Sequence, residues 1–508
     1  MPTTAELIRR GAWQHRDRTA IRWEDDELSY ADVFSTACRI GNALTDAGIG
    51  KGEHVALLVG NGPYSASTDF GLVLAGQVRV PLNARLSLDE HVHMLRQSRA
   101  DVLVHDESLA GRAAELVERM PGLRCFGHGV TSVTGEPDVL AHLDASDRHL
   151  DVAPEDPVLL LFTSGTTGTL KAVIHTQGTF AAIATNILAN LIDPRPGSTM
   201  LHAASLIHAS GTFVLPYWVR GGTSAVLPGF DPAAFASAIA RYQATEINLV
   251  PTMIAMLLSN GTLEDADLSS LRQVIYGASP MPRPVLAEAI ERFGPILWQY
   301  YGQTEAPLCM TVLTPEDHRD PSLWGACGQP AVEADLRLVD DEANVVAGEG
   351  AGEIQVRAPF AMPGYFDADE LNAEMRTPDG WLRTRDVARR DANGYLHLID
   401  RTSDMIITGG YNVYPREVED VLLSHPAVAE CAVVGAPDPT WVEAVTAFVA
   451  VKPGQAVVEA DLIQLVRSKL APYKAPKAVH VVEAIPKSPV GKVLRRALRE
   501  PLWKDQPR

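Results

Sequence analysis

Cysteine is scarce in this chain: Cys38, Cys125, Cys309, Cys327 and Cys431 are all there are in 508 residues, and none stands at the paired spacing of a metal knuckle. Their scatter argues against zinc and against a disulfide framework, and is expected of reduced thiols in a cytoplasmic protein. Positive charge is short as well. With 44 Lys and Arg against 63 Asp and Glu, the formal net charge of −19 argues against a nucleic-acid-binding surface, although a small anion held by local donors is still allowed. Long apolar runs are missing. The first twenty residues carry Glu6, Arg9, Arg10, Arg16, Asp17 and Arg18 with no apolar core, so no signal peptide is expected, and nothing later is long enough to span a bilayer. Low-complexity blocks and internal repeats are absent too. What is present is length and apolar content, 46% by composition, enough for two or more domains.

The first half alternates helical and strand periodicities as a doubly wound α/β sheet requires. Ser29 is placed to cap a helix whose apolar face runs Val33, Ala37, Ile40 and Leu44, with Gly48 as its stop and residues 55–59 as the buried strand that follows. Further buried strands are expected at 101–104, 158–162 and 247–250. From about Gly325 the pattern changes to short alternating strands, for example 334–339 and 352–357, which suits a β-rich, barrel-like subdomain. After Asp400 a compact α/β unit is expected, with helices at 415–424 and 459–470 and strands at 429–435 and 444–451.

One run combines hydroxyls, glycines and a cation directly after an apolar strand: Thr163-Ser164-Gly165-Thr166-Thr167-Gly168-Thr169-Leu170-Lys171. Glycine lets backbone N–H groups close on an anion, hydroxyls add donors without bulk, and a lysine neutralises phosphate charge. The run lacks the Ser or Thr after its lysine that a Walker A loop uses for magnesium, since Ala172 and the β-prone Val173-Ile174-His175 follow. Any metal ligand must come from elsewhere in the chain.

Three more segments recur in order behind this loop: Tyr301-Gly302-Gln303-Thr304-Glu305, Gly409-Gly410-Tyr411-Asn412-Val413-Tyr414-Pro415 and Pro486-Lys487-Ser488-Pro489-Val490-Gly491-Lys492. Together they resemble the adenylate-forming superfamily of acyl-CoA synthetases, luciferases and peptide-synthetase adenylation domains, over nearly the whole chain. The resemblance implies a large amino-terminal domain, 1–400, of two packed α/β sheets plus a β-barrel subdomain, and a small mobile α/β carboxy-terminal domain, 401–508. The implied chemistry is activation of a carboxylic acid: its oxygen attacks the α-phosphorus of ATP, pyrophosphate leaves, and a thiol then displaces AMP from the acyl-adenylate.

Roles follow for individual residues, each as the resemblance implies. Thr163, Ser164, Gly165, Thr166, Thr167, Gly168 and Lys171 would cradle the triphosphate. Glu305 would supply an oxygen ligand to Mg2+ and Thr304 a hydrogen bond to the α-phosphate. Tyr301 would stack on adenine opposite the thin wall Gly277-Ala278-Ser279, Asp386 would accept from the ribose hydroxyls, and Arg401 would contact the ribose and phosphate side. Lys492 matches the lysine that bridges the carboxylate and the α-phosphate, and Gly409 and Gly410 belong to the nucleotide-side set. His208 aligns with an aromatic or imidazole gate near the acyl site, beside its plain reading as a histidine among apolar residues. The acyl pocket is expected from His208, Ala209, Val250, Tyr276, Gly277, Gly302 and Pro307, small or apolar in the main, as an aryl or medium-chain acid would need. Tyr276 either truncates that pocket or hydrogen-bonds a ring substituent.

The form of the Gly409 segment looks like CoA ligases, and Trp441 falls where they wall the pantetheine tunnel, so CoA is the expected acceptor. Five departures stand beside these matches. Leu170 and Ala172 replace the proline and glycine usual around the loop lysine, Arg385 replaces a glycine before the ribose aspartate, Ser403 takes the usual lysine or aspartate, and Val442 replaces the glycine after Trp441. Three readings stay open: an acid:CoA ligase; a relative of the same fold that activates an unusual acid such as nitrite, or hands its adenylate to an amine or a carrier protein; and an inactive binding or scaffold relative. Beyond the small-molecule acid, the expected partners include neither nucleic acid nor membrane, while a homodimer is left open.

Overall fold

Ser29 caps the helix Tyr30–Asp46 through a reciprocal box: its side chain accepts from the Asp32 N–H while Asp32 accepts from the Ser29 N–H at 2.9 Å. Val33, Ala37, Ile40 and Leu44, one helical turn apart, are fully buried, and the chain leaves the helix through Gly48 at φ +90° into the buried strand His54–Leu58. The computed structural model of the chain describes residues 2–164, 170–206, 209–259, 261–340, 342–401, 404–408, 411–438, 441–487 and 493–504; it does not describe the side chains of Ser164, Ala209, Asp400, Arg401 and Asn412.

Among the described residues the chain divides into two units, 2–164 with 170–336 and 356–382, and 337–355 with 383–504. The first unit holds two sheets. One has the strand order Arg124–Gly127, Val102–His105, His54–Leu58, Val78–Pro81, Pro157–Ser164, Leu170–Thr176, parallel throughout except for the last pair, an antiparallel hairpin. The other runs Gln329–Pro330, Ala306–Leu313, Leu297–Gln303, Gln273–Gly277, Glu246–Leu249, Thr199–His202, Thr223–Val226, Thr19–Trp23, Asp26–Ser29. It is parallel from Leu297–Gln303 through Thr19–Trp23 and antiparallel at its rims. One apolar core lies around Leu103, Leu116 and Leu160 and another around Leu201, Ile239, Leu249 and Val274, while a third, with Ile21, Phe70 and Trp218, joins elements of both sheets. All five cysteines are buried thiols, and no helix among the described residues is long and apolar enough to cross a membrane.

The segment expected as a barrel forms a four-stranded sheet in chain order, Asp335–Val339, Gly350–Arg357, Leu382–Arg390, Leu396–Arg401, whose two outer strands do not pair with each other among the described residues. Residues 337–355 and 383–400 group with the carboxy-terminal unit, so the compact division falls earlier in the chain than residue 400. In that unit the strands Val428–Asp438 and Val442–Val451 pair along their length, Ala478–Val482 adds in parallel, and Ile406–Thr408 with Tyr411–Val413 completes the sheet. Helices Pro415–Leu423 and Glu459–Lys469 cover it, burying Val418, Leu422, Leu462 and Val466.

Two of the replaced glycines reappear here as backbone facts. Arg385 sits at φ +59° and Val442 at φ +69°, the left-handed region that costs an L-residue roughly 1–2 kcal/mol and is a clear outlier for a β-branched side chain. Val442 is 69% exposed, so its side chain contributes little packing in return. We expect Val442→Gly to stabilise the carboxy-terminal unit by about 1 kcal/mol, the relief of strain exceeding the added chain entropy of glycine. Thermal unfolding of the variant against the parent measures this, and a lowered midpoint would show the strain to be compensated.

Candidate active site

The hairpin Pro157–Ser164/Leu170–Thr176 brings Thr163 opposite Lys171 and Ser164 opposite Leu170, so the phosphate-loop candidate is closed at its base by strand pairing. Gly165, Thr166, Thr167 and Gly168 themselves lie outside the described residues, as do His208, Gly409, Gly410 and Lys492. Lys171 extends over the ring of Tyr365, its Nζ 5.8 Å from the centroid. The Tyr365 hydroxyl donates to Glu305 Oε1 at 2.7 Å. One phenol therefore touches both the loop lysine and the carboxylate proposed from sequence, residues 134 positions apart in the chain.

The backbone explains how that comes about. Residues 362–366 run beside the lysine strand: the Ile174 N–H donates to Gly364 O at 3.0 Å and the Phe366 N–H to Ala172 O at 2.8 Å. The same segment reaches the other sheet, where the Met362 N–H donates to Glu305 O at 2.8 Å. His175, four residues beyond Lys171, is 1% exposed and its Nε2 lies 2.9 Å from Thr304 O. A carbonyl only accepts, so the imidazole is the donor and carries its proton on Nε2. Burial, partly offset by this hydrogen bond, lowers its pKa to about 4, and it is neutral near pH 7.

Thr304 and Glu305 form the turn between Leu297–Gln303 and Ala306–Leu313. This turn, Val250 and the run Gly277-Ala278-Ser279 all follow the carboxyl ends of neighbouring strands, the edge where open α/β sheets bind ligands. Close approach dictates the glycines there. A Cβ on Gly302 would lie 2.2 Å from Leu308 O, and one on Gly277 would lie 2.6 Å from Tyr300 O. Tyr301 is buried at 8% exposure, and Pro307 is half-buried on the outgoing strand.

Tyr276 is placed differently from one of its two expected roles. It is fully buried, and its hydroxyl is already engaged, 2.8 Å from His318 Nε2 and 3.1 Å from Gln299 Oε1. Burial pushes the phenol pKa well up. Its polar end is turned to His318 and Gln299. Asp386 and Arg401 belong to the second unit, where they face each other across the antiparallel pair Leu382–Arg390/Leu396–Arg401; Asp386 is 6% exposed. Trp441, also in that unit, is 39% exposed and lies under Lys477, whose Nζ is 4.9 Å from its ring.

Lys171, Thr304 and Glu305 are expected from sequence and lie together here, while Tyr365 and His175, which join them, are not among the expected residues. The signal for His175 was a lone histidine in an apolar strand, four residues after the loop lysine. Tyr365 gave none beyond its neighbours Pro363 and Gly364.

A phosphate-loop hairpin, a lysine and a carboxylate gathered at the carboxyl edge of a parallel sheet, with a smaller α/β unit following, define an AMP-forming, acid-activating ligase. Comparison places it by descent: the chain belongs to the family of AMP-binding enzymes, matched over residues 8–366, with the AMP-binding enzyme C-terminal domain matched over 417–492. It is 35% identical to the medium/long-chain fatty-acid–CoA ligase FadD8 of Mycobacterium tuberculosis, over 96% of this chain and 88% of that protein. It is 36% identical to a feruloyl-CoA synthase of an Amycolatopsis species, over 95% of each chain. The amide bond synthetase McbA of Marinactinospora thermotolerans superposes with a TM-score of 0.90 at 33% identity, covering 97% of this chain and 99% of that one.

The site's geometry yields two expectations. Tyr276→Phe should cost about 1 kcal/mol of stability, one buried hydrogen bond, while leaving the preference between hydroxylated and unsubstituted aryl acids within about twofold; a larger swing in selectivity would return the hydroxyl to the substrate. His202 resembles His175 in being buried, bonded to Ser210 Oγ at 2.9 Å through Nδ1, and lowered to about 4 by desolvation. Both imidazoles bind a proton more readily when unfolded. Their contribution is therefore complete above about pH 6.5 and falls as the pH drops toward 4, at about 1.4 kcal/mol per pH unit for each. Urea unfolding between pH 7 and 5 should register the loss, and His202→Asn should make the slope shallower.

Proposed function

We propose that the chain is an ATP-dependent acid:CoA ligase acting on an aryl or medium-chain carboxylic acid. The observation that carries this is the Lys171–Tyr365–Glu305 contact, which sets a cation and a carboxylate beside one hairpin loop suited to phosphate. Glu305 fits Mg2+, an ion that takes one or two protein carboxylates and completes its shell with phosphate oxygens and water. When bound, Mg2+ would neutralise charge on the phosphates. Lys171 would add a second cation on the triphosphate, and Thr304 would donate to the α-phosphate.

In the first half-reaction a carboxylate oxygen bonds to the α-phosphorus as the bond to the bridging oxygen of pyrophosphate breaks. Lys492 would bridge the attacking carboxylate and the α-phosphate, with Asp386 and Arg401 assigned to the ribose side and Tyr301 to adenine. In the second, the CoA sulfur bonds to the acyl carbon, AMP leaves and the thiol proton goes to solvent. We assign the first step to residues 1–400 with Lys492 and the change of step to repositioning of 401–508, as the resemblance implies. His208 and Ala209, with Val250, Gly277, Gly302 and Pro307, would line the acyl pocket, Tyr276 forming its floor. A cytoplasmic location suits a user of ATP and CoA.

One observation favours a second reading, transfer to an amine or a carrier protein. Val442, in left-handed backbone next to Trp441, projects an exposed branched side chain where the thiol arm would pass. Pyrophosphate release across aromatic acids, aliphatic acids and nitrite, each with CoA, with an amine or with neither, separates the readings. CoA thioester as the product supports the first, an amide the second, and silence with every acid leaves only an inactive relative. Lys492→Ala should abolish acid-dependent pyrophosphate exchange while sparing thioester formation from a supplied acyl-adenylate; undiminished exchange would remove the lysine from the mechanism.

A further inference from the structure

We propose that His175 is a positioning residue for adenylate formation: its imidazole fixes the peptide group between Thr304 and Glu305 in register with the strand that carries Lys171. It rests on the reading of Thr304 and Glu305 as nucleotide-side groups, and adds a residue that this reading does not contain.

The carbonyl that His175 holds belongs to the peptide plane joining Thr304 to Glu305. That plane lies between the two Cα atoms, so one hydrogen bond restrains the backbone from which both the Thr304 hydroxyl and the Glu305 carboxylate project. Glu305 is pinned twice more, at its own carbonyl by the Met362 N–H and at its carboxylate by the Tyr365 hydroxyl. Of the three, only the His175 bond comes from a side chain on the lysine strand itself. Four residues of extended strand separate Lys171 from His175, about 13 Å of backbone stiffened by pairing with Pro157–Ser164. The distance from the lysine to the turn is thus set by a strand and one ring, not by a flexible loop.

The chemistry of the donor suits the task. A neutral imidazole adds no charge beside groups meant for phosphate and metal, and its ring has a single torsion to freeze beyond χ1. Its Nδ1 is buried and has no partner among the described residues, an arrangement that stability alone disfavours. An apolar residue would fill the space without that cost, but would release the carbonyl.

Two substitutions separate positioning from mere packing. His175→Gln keeps a donor of similar reach, and His175→Leu removes it. In full-length enzyme, His175→Leu should raise the KM for ATP and lower the rate of acid-dependent pyrophosphate exchange by about tenfold together, with the KM for the acid within about twofold of the parent. His175→Gln should recover most of both. Glu305→Gln serves as the reference. If Glu305→Gln abolishes exchange while His175→Leu leaves the ATP parameters untouched, or shifts the KM of acid and ATP alike without rescue by glutamine, the positioning role is overturned and the reading of Glu305 stands. If Glu305→Gln itself retains full exchange, that reading falls and takes the role of His175 with it.

Discussion

The short strand-like run 362–366 is the constraint on which the site depends. It bonds to the backbone of the lysine strand through Ile174 and Ala172 and to the turn of the other sheet through Glu305. The two sheets of the first unit each have an apolar core and share a further one, and hydrophobic burial is non-directional. Burial brings two such layers together without fixing the offset of one against the other to the fraction of an ångström that phosphoryl chemistry requires. Directional bonds do that. Three backbone bonds, the Tyr365 hydroxyl and the His175 ring each specify a distance, and all five involve the few residues that surround Lys171 and Glu305.

This explains which parts of the molecule were legible in the sequence. The helix from Tyr30 to Asp46 was readable because every determinant lies within it: Ser29 as cap, the apolar face at helical spacing, the glycine that stops it. The strand after it, and the carboxy-terminal helices and strands, followed from equally local patterns, with ends displaced by one to three residues. Thr304, Glu305 and Lys171 were visible because phosphate and metal chemistry restricts residue type and neighbours. Tyr365 and His175 were not, since a hydrogen bond across 60 or 129 positions leaves no periodic trace. The same holds for Tyr276. Its residue type allowed both a wall and a donor, and nothing in the sequence showed that His318, 42 residues away, meets its hydroxyl.

The departures at Arg385 and Val442 teach a related lesson. From sequence they read as side-chain changes, an added cation and a bulkier group near a thiol passage. The backbone makes them conformational as well, because both occupy left-handed angles that the replaced glycine would adopt without strain. Keeping a non-glycine residue there means the surrounding structure holds the angle against its preference. At Arg385 the restraint is visible: its N–H donates to Glu353 Oε1 at 3.0 Å, one residue before the aspartate assigned to the ribose.

Tyr365 shows how one neutral group can meet two opposite charges at once. A carboxylate that accepts the phenolic proton draws electron density toward the oxygen and enriches the ring, and a richer ring attracts the ammonium over its face more strongly. Each contact thereby reinforces the other. Tyr365, 60 positions from Glu305 in the chain, is therefore as much a part of this cluster as the lysine and the carboxylate it joins.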